Sequence, residues 1–236
     1  MTPSPFRWLK PDYPSISAKG ERTFQHSMKR SLLATSFIFT IKPTDDPAAL
    51  DLRVDAEASL PFKKFGYRVT TLARRDRETG FVASTETNTG EGFTAGIWEA
   101  EPGAVVRKRA NGSELARLPL AEYASSEILV FDALSLLTTL VFTKLDSQSP
   151  YLAVVAAGSK LNLLRIDCEG ESESTLTFGV KSQSLHKAPA PETLLETAVK
   201  LSTQATLLRF QWDKAKAEPT RFTLKVPVLG DLDIDF

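Results

Sequence analysis

The sequence is short of the residues that small domains use as staples. It holds one cysteine, Cys168, and two histidines, His26 and His186, in 236 residues. A single thiol excludes an intramolecular disulfide and a multi-cysteine zinc site, and two histidines add too few soft ligands for structural zinc. We expect no metal and no cofactor. Cys168 falls in a strand-like Ile-Asp-Cys-Glu run, where a small half-buried side chain is its simplest role. Long apolar runs are also missing. No stretch reaches the ~18 residues a spanning helix needs. Charge of one sign is missing too: Lys plus Arg and Asp plus Glu each total 29. No net field therefore draws the chain to nucleic acid or anionic lipid.

A secretory signal is not found at the start, because Met1–Pro14 carries four prolines and no apolar core. Read as it stands, the chain is expected in the cytoplasm. Met28-Lys29-Arg30 followed by Ser31–Ile41 imitates a signal peptide, and translation from Met28 would imply export. Alternation at Phe37, Phe39 and Ile41 favours a strand there instead.

Catalytic templates are absent as well. There is no Gly-x-Ser-x-Gly elbow, no dinucleotide glycine fingerprint and no His-Glu-x-x-His pair. Gly158-Ser159-Lys160 ends like a phosphate loop but lacks the upstream glycine, so it reads as a turn. The neighbours Ser27 of His26 and Ser184 of His186 prove no triad, since triads assemble in space.

What is present describes a globular β protein. Hydrophobic residues at 42% and charged residues at 25% match an ordinary folded domain. A chain of this length buries roughly 70–75% of its unfolded surface and needs no staple. We divide it into an extended Pro-rich arm, 1–20, and one β-rich domain, 21–236. Trp8 and Tyr13 are the residues able to pin the arm. Within the domain, Leu50, Leu52, Val54, Ala56 and Ala58 alternate with Asp51, Arg53, Asp55 and Glu57. That period of two puts apolar side chains on one face of a strand and charges on the other.

Tyr67–Ala73, Phe81–Thr87, Gly92–Ala100, Val105–Ala110 and Leu115–Leu120 continue the strand series, with Asn111-Gly112 as the hairpin signal. Asn111-Gly112-Ser113 also matches a glycosylation acceptor, although the turn already explains it. The basic clusters Arg74-Arg75-Arg77 and Arg107-Lys108-Arg109 lack interleaved aromatics for stacking bases, so both are read as solvated hairpin ends.

At Asp132 the texture changes. Asp132 is placed to cap a helix carrying Leu134, Leu136, Leu137, Leu140, Val141 and Leu145. So apolar a helix belongs inside a core. Strands are expected near Tyr151–Ala156, Leu161–Asp167, Thr175–Val180, Thr206–Trp212, Arg221–Val226 and Asp231–Phe236, with a second short helix near 191–203. Asp231, Asp233 and Asp235 share one strand face. They could offer oxygens to calcium, but a half-buried final strand needs the same alternation.

The run Val130-Phe131-Asp132-Ala133-Leu134-Ser135-Leu136-Leu137 resembles the helix start of a bacterial envelope family known as domain of unknown function 3108. Tyr151–Ile166 around Gly158-Ser159-Lys160, and the ending with Trp212-Asp213, Val226-Pro227-Val228 and Gly230-Asp231-Leu232, are similar to it too. The likeness covers about the last half of the chain. It implies a curved β-sheet around a central helix and a periplasmic location, and it transfers no catalytic residue. Gly96-Ile97-Trp98 resembles the lipocalin Gly-x-Trp, but in mid-chain.

The expected fold is mainly β: a strongly curved antiparallel sheet or open barrel of about ten strands, wrapped around one apolar helix. The expected function is non-catalytic. It is a binding or envelope-assembly module holding an apolar or amphipathic, lipid-like ligand, lined by Leu134, Leu137, Leu140, Val141 and Trp98. One alternative is a barrel-pocket cyclase or isomerase without a recognisable motif. Another is a protein-interaction subunit that offers its arm or an edge strand to a protein partner.

Overall fold

The computed structural model describes residues 7–30, 33–60, 63–120, 123, 128–148, 150–157, 160–187, 206–216, 218–226 and 230–235. It is mainly β, 63% strand. After β1 (Arg7–Trp8) and a short helix α1 (Tyr13–Ser17), eight strands follow as an uninterrupted meander. They are β2 (Arg22–Arg30), β3 (Leu33–Pro43), β4 (Ala49–Leu60), β5 (Lys63–Arg74), β6 (Ala83–Asn88), β7 (Phe93–Glu101), β8 (Ala104–Lys108) and β9 (Glu114–Pro119). Each pairs antiparallel with the next to make the first sheet, in the order β2 to β9. Asn111-Gly112 turns β8 into β9, with Gly112 at a φ of 81° that its missing Cβ permits.

The second sheet holds β10 (Val130–Phe131), β11 (Tyr151–Ala157), β12 (Lys160–Glu171), β13 (Thr175–Lys187), β14 (Thr206–Asp213), β15 (Glu218–Val226) and β16 (Gly230–Asp235). Its order is β1-β11-β12-β13-β14-β15-β16. β1 and β10 lie parallel to β11 and take successive stretches of it, Arg7 opposite Tyr151 and Val130 opposite Val154. β10 also reaches the first sheet. Val130 N donates to Glu78 O and Gly80 N donates to Val130 O, both at 2.9 Å. Val130 therefore ties the second sheet to the β5–β6 connection of the first through backbone alone.

Between the sheets lies α2 (Ala133–Phe142). Asp132 caps it as its position predicts: its Oδ1 accepts from Ser135 N at 2.9 Å, and its own N donates to Ser135 Oγ at 3.0 Å. Thr139, a poor helix former, is held by donating its hydroxyl to Ser135 O at 2.8 Å. Leu136, Leu140 and Val141 belong to a buried cluster with Ile166, Phe178, Phe210 and Phe222 of the second sheet. Leu134 belongs to another, with Phe39, Leu50, Leu52 and Ala73 of the first. The helix is apolar on most sides because it has a sheet on each.

The mainly β fold of antiparallel strands around an apolar helix stands, and three details of it change. The strands divide into two eight-stranded sheets instead of forming one of about ten. Residues 7–17, expected as an extended arm, are built into the body instead. Leu9, Tyr13 and Ile16 are buried, and α1 forms because Asp12 caps it and Pro14 suits a first turn. Arg74–Gly80 is solvated only in its first half: Arg74, Arg75 and Arg77 are exposed, whereas Thr79 and Gly80 are buried against β10. The helix expected near 191–203 lies outside the described residues.

Candidate functional site

Residues directly opposite one another on paired strands share a face, so the register defines the inner surface of the first sheet row by row. One row runs Leu52, Thr71, Ser84, Trp98, Arg107 and Ala116. Four of its members are sealed: Leu52, Thr71, Ser84 and Trp98 are all at most 3% exposed. The next row holds Phe39, Val54, Val69, Glu86 and Gly96, and the row after it Phe37, Ala56, Tyr67, Asn88 and Phe93. Phe39 and Gly96 are buried, and the others are half-buried. The inner face thus continues beyond the helix as a mostly apolar surface that is largely half-buried.

A charged pair sits on this border. Arg107 Nη2 stands 3.8 Å from Glu86 Oε2, with 13% of the Arg107 side chain and 22% of the Glu86 side chain exposed. The Arg107 guanidinium lies over the Trp98 ring, 5.8 Å from its centroid. Gly96 makes this possible, since a Cβ there would come within 3.1 Å of Arg107 Nε. That Nε is buried and has no hydrogen-bond partner. Burial pushes the Glu86 carboxyl above its usual pKa, while the Arg107 charge and hydrogen bonding by Trp98 and Tyr67 pull it back only in part. Although a fifth of the side chain remains exposed, its carboxylate is crowded by protein on the inner face, and that crowding decides the direction.

A second polar group is sealed. Tyr13 Oη donates to Gly80 O at 2.7 Å, and Thr71 Oγ1 donates to Asp132 Oδ2 at 2.5 Å. Ser84 Oγ lies 2.9 Å from Thr71 Oγ1. Burial raises the Tyr13 phenol strongly, and the nearby Asp132 charge adds to it. The partners already satisfy each other, which makes this a structural joint.

Of the five residues proposed as ligand-lining, Leu134, Leu140, Val141 and Trp98 are at most 6% exposed and packed into the core clusters. Leu137 is half-buried and packs against both of the core clusters that α2 joins. A depression of about 690 Å³ lies on the opposite, outer face, lined among others by Lys42, Asp51, Arg53, Asp55, Thr70 and Thr85. Among its charges, Asp55 is paired with both Arg53 and Arg68. None of the five residues lines it.

Cys168 is half-buried, and its thiol lies 3.4 Å from Gly170 O. Register sets Asp231, Asp233 and Asp235 opposite Lys225, Thr223 and Arg221, and sets Ile234 opposite the buried Phe222. Among the described residues no group of three or more His, Cys, Asp or Glu comes together as a metal site. The side chains of His26 and His186, and Gly158-Ser159, lie outside the described ones. Asn111 Oδ1 accepts from Ser113 N at 3.0 Å, closing the hairpin turn.

The basic cluster 107–109 corrects its sequence reading. Lys108 is paired with Glu99 and Glu101, but Arg107 points inward. The signal for this was the alternation of β8, which puts Arg107 on the same face as the fully buried Val105. Glu86 carried no such signal. Among the described residues no helix is long and apolar enough to cross a membrane. No protein family, curated protein or solved structure matches this chain.

Proposed function

We propose that the protein is a non-catalytic binding module that holds an apolar or amphipathic, lipid-like ligand against the half-buried part of the inner face of its first sheet. One observation carries this reading. Within single strands, full burial at Phe39 and Leu52 gives way to half-buried Phe37, Val54 and Val69 on the same face. Apolar surface that turns toward the space between two sheets and is left partly uncovered is what a tail would occupy. The likeness of Val130–Leu137 to the envelope family supports a role in envelope assembly. Native mass spectrometry of gently purified protein, followed by titration with alkyl-chain probes, tests the reading. A retained adduct or saturable binding is expected; no adduct and no binding would remove it.

A second reading, a cyclase or isomerase, is favoured by the raised Glu86 carboxyl beside Arg107 and Tyr67, a group suited to proton transfer. Ligand recovered as an isomer from the native protein, but unchanged from Glu86→Gln, would favour chemistry over holding.

A further inference from the structure

β1 and α1 sit on the body as one strap, joined to β2 by a short hinge. We infer that residues 7–18 are exchangeable between molecules. The partner they fit is a second copy of this chain, whose seat for the same segment they fill while their own seat takes the partner's strap. The inference stands apart from the binding reading above.

The seat is defined by the segment that fills it. β1 lies parallel to β11, with Arg7 N donating to Pro150 O at 3.2 Å and Leu9 N donating to Leu152 O at 2.8 Å. Leu9 is buried in the cluster that holds Leu136, Tyr151 and Val155. Tyr13 and Ile16 are buried in the one that holds Phe39, Leu50 and Leu52. Tyr13 Oη donates to Gly80 O at 2.7 Å, and Arg7 Nη1 pairs with Asp146 Oδ2 at 2.6 Å. Each of these contacts joins strap to body, so a strap from another copy would make them all unchanged.

The bonds that shape α1, in contrast, run within the strap. Ile16 N donates to Asp12 O, Ala18 N to Pro14 O and Ser15 N to Asp12 Oδ1. The chain then leaves through Lys19-Gly20-Glu21, and β2 starts at Arg22. Lys19 and Glu21 are exposed, and Gly20 turns the chain back at a φ of 78°. The closed form therefore depends on a left-handed turn that glycine adopts freely. An extended hinge gives up that turn and the bond from Gly20 N to Ser17 O.

Hinge length sets the shape of the pair. Lys19 lies over the Phe142 ring, 5.0 Å from its centroid, and Arg22 lies 5.6 Å from the same centroid. After exchange Lys19 meets the partner's Phe142, while Arg22 stays on its own. The three steps from residue 19 to residue 22 span at most about 11 Å. The two bodies must then meet at the Phe142 ends of their α2 helices. That contact is reciprocal and closes as a two-fold pair.

Gly20→Val isolates the hinge. A β-branched residue resists the left-handed turn, and a Cβ at this position meets nothing within 4 Å. The full-length native chain and the variant are refolded from urea at high concentration and sized by light scattering, with thermal melts to confirm folding. The variant is expected to dimerise roughly tenfold more tightly than the native chain, or better. In dimers of one isotope-labelled and one unlabelled chain, filtered NMR spectra are expected to show Leu9–Leu152 and Tyr13–Gly80 contacts between chains. A variant that folds but dimerises no better than the native chain would overturn the exchange, as would dimers whose two contacts stay within one chain. If Gly20→Val does not fold, the native chain refolded from mixed-label protein is expected to give the same contacts between chains, and their absence would overturn the inference equally.

Discussion

Thr71 on β5 donates its hydroxyl to Asp132, the residue that caps the helix between the sheets. One carboxylate thus ends a helix with one oxygen and ties it to the first sheet with the other. The residue is 4% exposed, so neither bond is replaced by bulk water if it is lost.

Asp132→Ala removes both at once. Loss of a cap costs about 1 kcal/mol, and stranding a buried hydroxyl about 1–3 more. A drop of roughly 2–4 kcal/mol in urea unfolding is expected. Asp132→Asn, which can still accept at the cap, should lose less.

Tyr13→Phe keeps the ring buried but deletes the bond to Gly80 O. The carbonyl it served lies in the segment that β10 clamps, where water has no access. A loss of about 1–2 kcal/mol is expected. For a chain of this size each kcal/mol lowers Tm by ~2–4 °C, which differential scanning calorimetry resolves.

Leu140 is fully buried in the cluster that joins α2 to the second sheet. Leu140→Ala should destabilise by about 2–5 kcal/mol, by lost transfer energy plus the cavity left behind. An effect below 1 kcal/mol would mean that α2 is not sandwiched.

Glu86 makes stability depend on pH. Its carboxyl is held above the ordinary value, so the folded protein binds this proton more tightly than the unfolded chain does. The stabilisation is complete below the unfolded glutamate value of ~4.3 and is lost as pH rises through the folded value. Glu86→Gln, which cannot ionise, should therefore gain stability relative to the native protein as pH is raised from about 4 to about 8. Urea midpoints across that range check it, and a gain that shrinks with rising pH would contradict it.

The parts of this fold that could be read from the chain are those set by local pattern. The charged-apolar alternation of Leu50–Ala58 became β4 with its apolar residues inward, Asn111-Gly112 became a hairpin turn, and Asp132 became a helix cap. Each is decided by neighbours within a few residues. Division into two sheets is not. It depends on β1 and β10, two residues each, too short to show a period, and on their parallel pairing with β11 far along the chain. Arg107 was obscured by its setting: a run of three basic residues looks solvated unless strand alternation is applied through it. Glu86 gives no sign in sequence at all, because what sets its chemistry is its burial, offset in part by Arg107 and Trp98 from two other strands.

The most direct test of the account is where a bound chain touches the protein. In two-dimensional NMR spectra with an alkyl-chain probe added, the account predicts that shifts concentrate at Val54 and Val69, on the inner face. Shifts confined to the outward residues Arg53, Thr70 and Thr85, or no shifts at saturating ligand, would contradict it.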